Sequence, residues 1–123
     1  MTREQLFDYV KEDFGIEPDF PFDKDFKTAI LRHKGNKKWF GAVLPVEKNK
    51  ITGNESRIVD VLDLKCDPML RQPLLQNKGV YVAYHMNKVH WISVILEEVS
   101  LDEVVPLVEM SYDLIKNKTK SKK

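Results

Sequence analysis

Two clusters of nitrogen-bearing side chains carry the chemistry this sequence offers. Lys34, Asn36, Lys37 and Lys38 crowd into five residues, and His85, Asn87, Lys88 and His90 into six. Lysine ammonium groups and imidazole N–H groups donate to phosphate oxygens, and an asparagine amide can address a base edge. Trp39, Tyr84 and Trp91 sit beside these cations in the chain and present flat faces on which unpaired bases can stack. A competing reading places Trp39 and Trp91 in the core, as residues of central strands. It leaves His85 and Asn87 as turn residues bonded to their own backbone.

Other chemistries have less to work with. His85 and His90 are separated by five positions, which matches no short helical metal-ligand pair, so no metal site is expected even with Cys66 or an acid as a third ligand. Asp8, Glu12 and Asp13 cluster on one predicted helix, where carboxylates are ordinarily solvated. Cys66 is the sole cysteine. It rules out an intrachain disulfide, and as a nucleophile it would need His85 or His90 beside it as a base. At a strand end a single cysteine reads as a small core residue. The five glycines are scattered at 15, 35, 41, 53 and 79, so no loop cradles a nucleotide phosphate. Neither catalysis nor a cofactor is expected.

The elements that must hold these clusters follow from local signals. Thr2 with Gln5 forms a capping box that opens a helix at Arg3; Leu6, Phe7, Val10 and Phe14 make its apolar stripe, and Gly15 ends it. Pro18 and Pro21 exclude regular helix, and Phe20, Phe22 and Phe26 predict an ordered, packed connection that covers them. Lys27 to His33 and Lys38 to Leu44 read as strands joined by a basic tip, with Pro45 stopping the second. A third strand runs from Arg57 to Leu64. Asp67 and Pro68 then open a short helix that Pro73 limits. Val80 to Tyr84 and Trp91 to Leu96 form a second hairpin with a polar tip, and Ser100 with Glu103 caps a last helix. Its apolar positions Leu101, Val104, Val105, Val108, Tyr112 and Ile115 dock on the sheet, and Pro106 predicts a kink or a loosened first turn. The expected fold class is α+β: an antiparallel sheet of about five strands, with the N- and C-terminal helices packed on one face.

Three stretches carry a resemblance: Lys65-Cys66-Asp67-Pro68, Tyr84-His85-Met86-Asn87-Lys88 with His90-Trp91, and Ser111-Tyr112-Asp113-Leu114. In their order and spacing they resemble the MmcQ/YjbR-like family, and the middle string is the most specific. The resemblance spans the chain from the first helix to Lys116. It implies a CyaY-like fold, a frataxin-type sandwich, and a "double wing" that binds DNA. Val89 departs from the pattern, since lysine or arginine is common there, and leaves the second hairpin one cation fewer.

Composition bounds the rest. With 123 residues, 42% of them hydrophobic, the chain can build one core, and residues 1–116 are expected to form a single domain followed by a basic tail at 117–123. No stretch approaches the roughly 18 unbroken apolar residues of a membrane helix, and no leader is apparent, so a cytoplasmic protein with no membrane partner is expected. The net charge of +1 conceals an asymmetry: residues 1–25 hold three basic and eight acidic side chains, residues 26–50 seven basic and one acidic. The leading expectation is nucleic-acid binding through the two basic hairpins, with DNA as partner. The alternative is a protein-interaction or small-ligand module whose pocket is lined by His85, Asn87, His90 and Trp91.

Overall fold

The computed structural model describes residues 1–22 and 27–120, with side chains through residue 116. Phe26 and the side chains of the lysine tail lie outside the described residues. Helix α1 spans Arg3–Phe14 and is fixed at both ends by local chemistry. The Thr2 side chain accepts from the Gln5 N–H while the Gln5 side chain accepts from the Thr2 N–H, so two otherwise orphaned donors are satisfied. At the other end Gly15 takes a left-handed conformation, φ 68°, and returns its N–H to the Lys11 carbonyl. Leu6, Tyr9 and Val10 are buried, with Phe7 and Phe14 packed partly against the core.

Five strands follow: β1 (Ala29–Arg32), β2 (Trp39–Glu47), β3 (Ile58–Lys65), β4 (Val80–Val82) and β5 (Trp91–Ile95). All pairings are antiparallel, in the order β1-β2-β3-β5-β4. Pro45 does not stop β2, as the sequence suggests. The strand runs on to Glu47, with Pro45 opposite Asp60. The pairing of β1 ends at Ala29, opposite Val43, so Pro45 lies where β2 has become an edge, a setting that tolerates a missing N–H. Strand β4 ends earlier than expected because the Tyr84 N–H turns to the Ser93 hydroxyl oxygen, at 2.8 Å, and leaves the ladder.

Between β3 and β4 a 3-10 turn at Pro68–Leu70, capped by the Asp67 side chain, leads into α2 (Arg71–Leu75). Pro73 is tolerated there because it lies in the helix's first turn, where N–H groups have no partner to lose. Helix α3 (Leu101–Lys120) opens on its expected capping box and runs on through Pro106.

Both long helices pack on one face of the sheet. Leu6 and Val10 of α1 and Val104, Val108 and Ile115 of α3 meet Leu31, Phe40, Val43, Leu62, Leu64, Ile92 and Val94 in one cluster. The Ser111 hydroxyl pins α3 to the sheet by donating to the Phe40 carbonyl at 2.5 Å and accepting the Lys65 N–H at 2.9 Å. A smaller cluster of Val46, Val59, Val61 and Ile95, with Tyr81 and Tyr84 against it, lies on the opposite face. The expected cover for the aromatic connection is missing in part: Phe20 is 38% exposed and Phe22 45%. The segment is tied instead by its backbone, Asp19 bridging Ile30.

Candidate functional site

The register brings the two hairpin tips to the same end of the sheet. Trp39, at the start of β2, pairs with Arg32, and Gly41 faces Leu64 near the end of β3. Trp91, at the start of β5, faces Lys65, the last residue of β3. The β1–β2 tip and the β4–β5 tip therefore project side by side, with the end of β3 between them. In the order β1-β2-β3-β5-β4 their centres are three strand spacings apart, or about 14 Å. Helix α3 reaches the same end: the Asn36 amide donates to the Ile115 carbonyl at 3.4 Å.

Each tip is built largely from its own side chains. His33 Nδ1 accepts the N–H groups of Gly35 and Asn36, and its ring stacks on Tyr112 at 4.6 Å. Asn36 Oδ1 accepts the Lys38 N–H. With its Nδ2 on Ile115, both ends of that amide hold the tip in place. In the second tip Asn87 Oδ1 accepts the N–H groups of Val89 and His90, at 2.9 and 3.1 Å. Each tip also carries one non-glycine residue in the left-handed region, Lys37 at φ 64° and His85 at φ 65°, a conformation that concentrates at turns and functional sites. Asn87→Ala should loosen the second tip by about 1 kcal/mol without unfolding the domain. Amide exchange should then speed up across residues 85–90 and stay unchanged in the strands.

The cations differ in their freedom. Lys34, Lys37 and Lys38 are exposed. The Lys34 ammonium rests over Gly15, where an added Cβ would stand 2.8 Å from it. That is the C-terminal end of α1, which favours a positive charge. His85, Asn87, Lys88 and His90 are also exposed, but the Lys88 ammonium donates inward to the Ala83 carbonyl at 2.6 Å. Trp39 and Trp91 are half-buried rather than core. Each has a cation 5.9 Å from its ring centroid, Arg32 and Lys65 respectively.

At the end of β3, beside the second tip, lies a cavity of about 470 Å³ lined by Lys65, Cys66, Asp67, Pro68, His90 and Leu114. It joins residues from all three stretches singled out in the sequence. Of the four residues expected to line a pocket, it takes in His90. The Cys66 N–H donates to the His90 carbonyl at 2.8 Å, which sets the two side by side. Burial pushes the Cys66 thiol up from its ordinary pKa, the reverse of what a nucleophile needs. Asp67 is engaged as the cap of the following turn. Among the described residues, no three His, Cys, Asp or Glu side chains gather to hold a metal ion.

The YjbR family model matches residues 14–114. The chain belongs to the YjbR family. It is 39% identical over 117 residues, 94% of its length and 99% of the relative's, to YyaQ of Bacillus subtilis (strain 168), a protein described as uncharacterized. A crystal structure of a Pseudomonas syringae protein is similar at a TM-score of 0.88 and 39% identity, covering 93% of this chain and 98% of that one. DR2400 of Deinococcus radiodurans, described as a DUF419 domain, is more distant, at a TM-score of 0.64 and 25% identity, covering 96% of this chain and 80% of that one. The cavity at the end of β3 and both tips fall within the matched segment.

Sequence reasoning missed a buried polar pair. Asp63 and Ser93 are 1% and 0% exposed on the face away from the helices, with the Ser93 hydroxyl donating to Asp63 Oδ1 at 2.5 Å. The available signal is an acid directly between two leucines, Leu62 and Leu64, in the apolar half of a strand.

Proposed function

We propose that this YjbR-family protein binds nucleic acid, DNA in the first instance, through the end of the sheet where its two hairpins stand side by side, and that it does so without catalysis. The observation that carries this reading is the alignment of the tips, which brings Lys34, Lys37 and Lys38 to the same end as His85, Lys88 and His90. Their separation of about 14 Å is on the scale of the ~12 Å major groove, so each tip can address phosphates on its own side of a groove. Asn36 and Asn87 are spent on the tips themselves, so the contact is to phosphate more than to base edges, and sequence preference is weak. The reading includes a CyaY-like assignment of the fold, one domain over residues 1–116 and a cytoplasmic location. Among the described residues no helix is long and apolar enough to cross a membrane.

Fluorescence anisotropy on labelled duplex and single strands at low salt tests it. Lys34→Glu, Lys37→Glu and Lys38→Glu together should weaken binding on every sequence alike, and Val89→Lys, which adds a cation to the second tip, should tighten it. Absence of binding by the parent at low salt would reject the reading. A second reading, a small-ligand module, is favoured by the cavity that joins Lys65, Cys66 and His90, and would take its place.

A further inference from the structure

The face of the sheet away from the helices holds an ionisable group that neither tip nor cavity uses. Asp63 lies mid-strand in β3, in a row with Ala42 of β2 on one side and Ser93 of β5 and Tyr81 of β4 on the other. Its Oδ1 accepts the Ser93 hydroxyl, and the Ser93 oxygen in turn accepts the Tyr84 N–H at 2.8 Å. Its Oδ2 is buried and has no hydrogen-bond partner. The second hairpin is thus fastened to the sheet through a carboxyl with one bare oxygen.

We propose that Asp63 is a proton-operated latch for the second hairpin: residues 84–90 lie closed over the sheet while the carboxyl keeps its proton, and lift when it ionises.

A neutral carboxyl tolerates this enclosure far better than a carboxylate, which needs donors on both oxygens. Few neighbours can supply them. Facing residues Ala42 and Leu44 of β2 carry no charge. Tyr81 turns its hydroxyl to Glu98, at 2.7 Å, and Lys65, the next residue of β3 on this face, lies over Trp91. From the hairpin, Tyr84 packs against the apolar cluster with its ring tilted against His85, while Lys88 is the charge that bears on Asp63. Its ammonium is bonded to the Ala83 carbonyl and only partly offsets burial. The Asp63 carboxyl is pushed up to about 7, chiefly by burial, with the Ser93 hydrogen bond and Lys88 acting the other way.

The sign follows by linkage. The closed hairpin holds the proton more tightly than a hydrated carboxyl does, so raising the pH through this range favours the state in which Asp63 is hydrated. Lifting breaks the Tyr84–Ser93 bond and frees Lys88. If the hairpins bind nucleic acid, the second tip is then set by pH; that consequence rests on the proposed function, whereas the latch does not.

Amide exchange of the full chain by NMR, between about pH 4 and 8.5 and corrected for intrinsic exchange, reads the latch at the Tyr84 N–H. Protection should fall towards tenfold per pH unit above the ordinary carboxyl value of 3.8 and level off above about pH 7. Asp63→Asn should abolish the fall. His85→Gln with His90→Gln should retain it, separating the latch from histidine titration. Lys88→Gln should move the levelling-off to higher pH. Level protection in the parent, or the same fall in Asp63→Asn, would overturn the latch. Should Asp63→Asn fail to fold, a levelling-off unmoved by Lys88→Gln would do so.

Discussion

Val108→Asp should leave the chain without a cooperative thermal transition. Val108 is fully buried where α3 meets the sheet, in the cluster that also holds Val104, Ile115 and the helix-facing residues of β2, β3 and β5. The cluster around it is apolar, so a carboxylate there must either stay charged in that site or fold as the acid. Either route costs several kcal/mol against a total stability of about 5–15 kcal/mol. Tyr112→Ala, which removes a half-buried ring stacked on His33 and packed on Phe14 and Phe40, should destabilise less and still melt cooperatively. Circular dichroism melting checks both. A Val108→Asp melt that overlays the parent would mean α3 is not docked as described.

Asp63→Asn should make the protein more stable above neutral pH. An unfolded aspartate titrates near its ordinary 3.8, while the folded carboxyl is pushed up to about 7. Between those values the folded state binds more protons than the unfolded one, so stability is complete below about 3.8, is lost progressively as pH rises to about 7, and falls no further above it. At roughly 1.4 kcal/mol per pKa unit the loss is on the order of 4 kcal/mol, an upper bound because lifting the hairpin relieves it. Asparagine is close in shape to the protonated acid and does not ionise. Urea denaturation at pH 4, 5.5 and 8 should therefore show parent and variant close together at pH 4 and the variant ahead at pH 8. A parent that gains stability over this range, or a variant that trails it at pH 8, would show that Asp63 is not buried as described.

What could be read from the chain was what depends on neighbours in sequence. The capping boxes at Thr2–Gln5 and Ser100–Glu103 and the Asp67–Pro68 turn are encoded within four residues, and so were legible. Pro45 looks like a strand end because whether a strand position is an edge depends on where β1 ends, and nothing near Pro45 states that. The early end of β4 depends on Ser93, nine residues beyond Tyr84. Of the candidate site, the residue types were legible. Their engagements were legible only where local, as with Asn87 bonding its own turn; that Asn36 reaches Ile115, 79 residues away, belongs to the tertiary fold. Asp63 escaped notice for the same reason, since its burial depends on a hairpin that folds back over it.

The salt dependence of binding tests the central claim most directly, because each phosphate neutralised by a lysine releases counterions. For a duplex, the slope of log Kobs against log salt should be negative in the parent. Reversing Lys34, Lys37 and Lys88 to glutamate should flatten it by about 0.9 for each phosphate those lysines neutralise. Variants of the first tip alone and of the second tip alone should each account for part of that change, since both tips face the same duplex. A parent slope near zero, or a slope that all three reversals leave unchanged, would contradict the account.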